Sequence, residues 1–230
     1  MFVYHGVPRG MTGEILYPLN QLAAIDRTLY EFQKAKYVGR EAALDFRIPG
    51  ANVLWNDAVH CAPLHPYHLF VKRRSLGFDT PRPEGGWWPG LFFAIPLDRI
   101  LVHTVIWYSW ETLWINGAPD EDVPLTPPLE EFAPFDLGRY RELRDVTEAH
   151  ACYLRRMKER GKRPLTFVHV PHVLVAGPID VRGLRPIPWD EAPEWLGATP
   201  HPAGARHGRD TGVGELGQRA RTPSRARHRI

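Results

Sequence analysis

The chain has 230 residues, 43% of them hydrophobic, which is enough to bury one real core and makes one domain the natural expectation. Two cysteines, Cys61 and Cys152, give no disulfide framework, no apolar run approaches a membrane span, and no secretory leader is read at Met1-Phe2-Val3-Tyr4-His5, so a reducing, cytoplasmic setting is expected. The net charge of +3 joins unlike parts: from Gly197 onward seven Arg face only Asp210 and Glu215, a net of +5, which leaves −2 for the body and excludes a generally basic nucleic-acid platform.

Phe2 to His5 reads as a short strand running into the glycine-bearing loop Gly6–Gly10. A helix is expected near Asn20, because Leu22, Ile25, Leu29 and Phe32 recur at helical spacing, and Glu41 to Phe46 add a turn or two after Gly39. Val53 to Trp55 and Ala58 to Cys61 suit short strands around an Asn56-Asp57 turn. Pro66 then opens a helix ending near Gly77. Leu91 to Ile95 and Leu101 to Tyr108, rich in β-branched and aromatic residues, are the clearest strands, and an acid- and proline-rich loop, Asp120 to Pro128, follows. Leu137 to Arg160 is helical in composition with a break at 145–147, where Thr147 caps a second helix. Thr166 to Val175 reads as a strand pair around Pro171, and Leu184 to Ile187 as a last strand. Strands at both ends with helices between them predict a mixed α+β domain over residues 1–190. Residues 191–230, rich in Pro, Gly and Arg and poor in large apolar side chains, are expected to be a disordered tail.

The densest run of reactive side chains is Trp55-Asn56-Asp57-Ala58-Val59-His60 through His65 and His68, at the junction of a strand and a helix. His60, His65 and His68 with Asp57 have a spacing a metal can use, although it matches no recognised zinc pattern. His169 and His172 flank Pro171 and either line a cleft or cover a sheet edge. Tyr4-His5-Gly6 places a histidine at a strand end, suited to a ribose hydroxyl, ahead of a glycine whose backbone a flat amide can reach. Trp107, Tyr108, Trp110 and Trp114 cluster around Glu111 as core packing or a stacking wall. Glu148 and His150, two apart on a helix, diverge and are expected to be solvated.

Taken together these segments resemble the ADP-ribosyltransferase superfamily, and within it the DarT-like branch that modifies DNA bases. Tyr4-His5-Gly6 resembles the first-strand motif that holds nicotinamide and its ribose. Asp57 to Pro66 resembles the stretch in which a strand leads into a proline-rich turn, and Val170 to Asp180 the late strand and turn that deliver a catalytic glutamate. Two positions depart from that pattern. Leu64 stands where the branch has an arginine, with His65 the nearest polar side chain, and no glutamate lies on the late strand, where His169 or His172 stands instead.

The resemblance implies short twisted sheets flanking a cleft that binds NAD. In that reading Tyr4, His5 and Gly6 hold the nicotinamide ribose and carboxamide, and Asn56, Asp57, His60 and His65 lie near the pyrophosphate or acceptor. His5, His169 and His172 take the catalytic positions, no metal is used, and ADP-ribose passes to a nucleobase or protein acceptor. The rival readings are a metal-dependent hydrolase built on His60, His65, His68 and Asp57, and a non-catalytic interaction domain. They are separable: a metal site needs His60 and His65 to converge, whereas the transferase needs His5 near the late strand.

Overall fold

The structure is a computed structural model that describes residues 1–38, 41–78, 90–111 and 127–197. Gly39, Trp114, most of the loop 120–128 and the tail from 198 lie outside the described residues.

Helices begin where a side chain or a proline deals with the free N–H groups of the first turn. α1 (Leu19–Ile25) follows Pro18, and Asp26 then takes an extended backbone, φ −141°, and accepts a hydrogen bond from the Leu29 N–H at 2.9 Å. That cap starts α2 (Arg27–Lys34), so the stripe Leu22, Ile25, Leu29, Phe32 is divided between two helices rather than forming one. Ile25, at the break, is 55% exposed instead of core. Residues 41–44 form a single 3₁₀ turn. α3 (Pro66–Ser75) has proline in its first turn and His65 as its cap, and Gly77 ends it at φ +70°.

Thr147 caps α4 (Glu148–Glu159), its hydroxyl accepting from the His150 N–H at 3.1 Å. The helix expected over 137–145 is absent: the Asp136 carboxylate accepts from the N–H groups of Gly138 and Arg139 and draws the backbone into a turn. His150 is fully buried, not solvated, because its Nδ1–H reaches the Val168 carbonyl at 2.6 Å; Glu148 is exposed. α5 (Glu194–Gly197) brings Trp195 onto the His68 ring at 5.5 Å, and residues 191–197 belong to the compact unit Met1–Gly197.

In chain order the strands are β1 (Phe2–Gly6), β2 (Ile15–Leu16), β3 (Arg47–Ile48), β4 (Val53–Leu54), β5 (Val59–Cys61), β6 (Leu91–Pro96), β7 (Thr104–Tyr108), β8 (Phe132–Pro134), β9 (His172–Ala176), β10 (Ile179–Asp180) and β11 (Ile187–Pro188). They pair antiparallel into a three-stranded sheet, β1-β6-β11, a four-stranded sheet, β5-β9-β7-β8, and the two-stranded pairs β10-β2 and β3-β4. The fold is α+β.

Three strand boundaries shift by more than one residue from expectation. β7 starts at Thr104 because Leu97–Arg99 form a 3₁₀ turn closed by hydrogen bonds to the Leu97 carbonyl. The last strand is Ile187–Pro188, since Leu184 is spent on a turn to Val181. The strand expected from Thr166 begins only at His172: Val170 donates back to the Phe167 carbonyl and His169 has a left-handed backbone, φ +58°. β9 is also interior, between β5 and β7, so Pro171 does not sit at a sheet edge; it precedes the strand, where its missing N–H costs no ladder bond.

Because β9 is covered on both sides it reads as an unbroken apolar run. Leu174 enters a core with Trp55, Tyr108, Trp110 and Leu154, while Val173 and Val175 enter the opposite core with Val3, Ile95 and Ile179. His172, two residues before Leu174, shares the Leu174 face. In register His60 lies opposite Leu174 and Tyr108 opposite His172, so both histidines project from one side of the sheet. A single bridge joins β1 to β5: Tyr4 and Ala62 exchange both backbone hydrogen bonds at 2.8 Å.

Candidate functional site

Beyond that bridge the ladder between β1 and β5 does not continue among the described residues, and the two strands flank a cavity of about 750 Å³. His5 and Gly6 from β1, His60 from β5 and His172 from β9 line it, with Asn56 and Tyr4. Its walls are aromatic (Tyr37, Trp55, Trp110 and Phe167), and its charged lining among the described residues consists of Arg9, Lys36 and Arg163 with no carboxylate. A cavity of this size with an apolar wall and a few converging polar groups suits a small-molecule ligand.

The imidazoles are held neutral and oriented. His60 and His172 have ring centres 6.1 Å apart, and His60 packs edge-on against Trp55 at 4.3 Å. His60 Nε2 meets the Trp55 carbonyl at 2.8 Å, and His172 Nδ1 meets the Val170 carbonyl at 2.8 Å. A carbonyl only accepts, so each of these nitrogens carries the proton. The other nitrogen, His60 Nδ1 or His172 Nε2, is then an acceptor in the neutral ring. His5 Nδ1 is buried with no hydrogen-bond partner among the described residues, and so is Asn56 Oδ1 in a side chain only 3% exposed.

Burial pushes the His5 ring down to about 4, aided by the nearby charge of Lys36 and by His172. Burial, then His172, pushes His60 down to about 3, and burial holds His172 at about 4. His5 and His60 retain some exposure because they border the cavity; crowding by surrounding protein still removes most of the water that would solvate an imidazolium. At neutral pH the site therefore offers three uncharged imidazoles beside three cations. It suits an anionic ligand that presents hydrogen-bond donors to imidazole nitrogens and a flat ring to aromatic walls.

Of the residues singled out from sequence, Tyr4, His5, Gly6, Asn56, His60 and His172 come together here. Tyr4 also donates from its hydroxyl to Glu142 at 3.0 Å. Asp57, His65 and His169 do not line the cavity. The Asp57 carboxylate accepts from Asn20 Nδ2 at 2.7 Å and from the Leu54 N–H at 2.9 Å, tying the turn before β5. His65 accepts from the Tyr67 N–H as the cap of α3 and packs edge-on against Tyr4. His169 Nδ1 lies 3.3 Å from the Trp110 carbonyl, with its ring near Tyr153. Leu64 is fully buried beside Leu69 and Val170, a place that suits no cation.

His60 and His65 thus part company, one in the cavity and one on a helix cap. Among the described residues no three His, Cys, Asp or Glu are gathered as metal ligands would be. No described helix is long and apolar enough to cross a membrane. Sequence reasoning passed over Arg9, Lys36, Tyr37, Arg163 and Phe167, which come from loops and turns with no periodicity to mark them; only Arg9, inside the Gly6–Gly10 loop after His5, had a local signal. No protein-family model, curated protein or solved structure matches the chain.

Proposed function

We propose that this cavity binds NAD and that the chain is an ADP-ribosyltransferase-like protein that passes ADP-ribose to a nucleobase or a protein side chain. The observation that carries the reading is the convergence of His5 and Gly6 of the first strand with His172 of the late strand on one cavity, at the point where two short sheets part. His5 and the Gly6 backbone serve the nicotinamide ribose and carboxamide. His172, in the late-strand position, accepts a ribose hydroxyl through Nε2. Arg9, Lys36 and Arg163 offset the negative charge of the pyrophosphate, and Asn56 and His60 face the acceptor side.

In the transfer, the acceptor's lone pair forms a bond to the ribose anomeric carbon. The pair of the carbon–nitrogen bond leaves with neutral nicotinamide, and the acceptor's proton passes to a neutral imidazole; this role falls to His60 Nδ1 in our reading, because Nε2 bonds the Trp55 carbonyl. The positive charge that develops on the ribose has no carboxylate to stabilise it among the described lining residues, so turnover is slow. That same absence favours a second reading, in which the domain binds the nucleotide and does not transfer it.

Incubation with NAD, followed by chromatography of free nicotinamide, separates the two. Nicotinamide release that is lost in His60→Ala or His172→Ala supports transfer. Bound but intact NAD supports the second reading, and no binding contradicts both.

A further inference from the structure

α3 and α4 end beside each other, and their last turns concentrate the positive charge of the body. Residues 72–74 are Lys-Arg-Arg, and residues 155–163 hold six Lys or Arg against Glu159 alone, nine of the 22 cationic residues that precede the tail. Between the two helix ends lies a pocket of about 490 Å³, lined by Arg73, Lys158, Lys162, Arg163, Phe78 and two glycines, with no carboxylate among the described residues.

Part of this charge has local work. Lys158 donates to the Gly77 carbonyl at 2.9 Å, satisfying the end of α3, and Lys158 and Arg73 both lie over the Phe78 ring, at 5.4 and 5.5 Å. Arg73 also donates from Nη1 to the Pro164 carbonyl at 3.5 Å. Arg73 is only 1% exposed, among the most deeply buried side chains of the described residues, yet it faces this pocket together with Arg163. Burial and the charge of Arg163 push its guanidinium down to about 10, so the two cations oppose each other where water is scarce. Convergent cations around a half-open pocket gain most from an anion with several acceptor oxygens, and guanidinium forks match phosphate oxygens in geometry.

We infer that this pocket is a binding site for a phosphate group, carried by a small phosphorylated molecule or by the far end of the nucleotide that fills the cavity. Arg163 lines both spaces and is the physical link between them. The inference does not rest on the reading of the cavity, since the two sites use different residues apart from Arg163.

The test is calorimetric titration of inorganic diphosphate into the full chain at low ionic strength, with four variants. Saturable one-site binding is expected, weakened at least about tenfold in Lys158→Gln and in Arg163→Gln. It is expected to be unchanged in Arg9→Gln, which removes a cation that lines the cavity alone. Arg155→Gln, on the same helix but paired with Glu148 outside the pocket, is expected to bind as the unaltered chain does. The inference is overturned by no saturable binding, by equal weakening in Arg155→Gln, which reports diffuse charge, or by loss in Arg9→Gln, which puts the anion in the cavity. Titration of NAD into Lys158→Gln then identifies the source: unchanged affinity means a separate phosphorylated molecule, and a parallel loss means the nucleotide's own phosphate.

Discussion

Tyr4 and Ala62 exchange both of their backbone hydrogen bonds at 2.8 Å, and among the described residues this pair is the only bridge between β1 and β5. One residue beyond Tyr4 is His5, and two before Ala62 is His60. A single point of pairing therefore sets the spacing of two strands whose next polar side chains open into the cavity. Had the ladder continued, Gly6 would sit opposite His60 and the space between them would be closed by backbone.

Replacing Ala62 by proline tests this directly. It removes the Ala62 N–H that bonds the Tyr4 carbonyl and leaves that carbonyl buried without a partner. We expect a loss of about 3 kcal/mol or more in urea unfolding, together with loss of ligand binding. Unchanged stability would mean that the bridge does not hold the sheets at this spacing.

The buried histidines make stability pH-dependent in a definite direction. Burial first, with neighbouring groups second, holds His5, His65, His150 and His172 at about 4 and His60 at about 3, against 6.5 in the unfolded chain. Between those limits the unfolded chain binds more protons than the folded one. The stability tied to these rings is thus complete above pH 6.5 and drains away as pH falls toward 4. Thermal unfolding should show a Tm that is level between pH 7 and 8 and falls by about ten degrees or more between pH 6.5 and 5, at roughly 2–4 °C per kcal/mol. A level Tm down to pH 5 would show that the imidazoles are solvated.

Tyr108 is fully buried at the end of β7, stacked on Phe132 with ring centres 4.6 Å apart, and its hydroxyl has no hydrogen-bond partner among the described residues. Burying a hydroxyl without a partner is unfavourable, so Tyr108→Phe should be neutral or stabilising by up to about 1 kcal/mol. The denaturant midpoint measures it. A loss above about 1 kcal/mol would reveal a partner for that hydroxyl.

Much of the element content was legible because its causes are local. Pro66 and Gly77 bracket α3, Thr147 caps α4, and the β-branched and aromatic run at 104–108 makes a strand. The two errors in helix extent share one origin, short polar side chains competing for backbone donors. Asp26 ends one helix and starts another, and Asp136 turns a helix-like composition into a bend. Neither outcome follows from hydrophobic spacing, which sees only the apolar stripe.

At the site, His5 and Gly6 were recognisable from their position at a strand end, and His60 from the dense run of reactive side chains ahead of α3. The separation of His172 from His169 was not, because it depends on the left-handed backbone at His169 and on β9 starting one residue after Pro171. Arg9, Lys36 and Arg163 reach the cavity from three separate loops or turns, and only tertiary structure assembles them.

NAD is proposed to bind in the cavity between β1, β5 and β9 through His5. The most direct measurement is calorimetric titration of NAD into the full chain and into His5→Ala, with circular dichroism to show that both are folded. We expect saturable one-site binding that is lost in the folded His5→Ala variant. Absence of binding to the unaltered chain, or equal affinity in the variant, would contradict it.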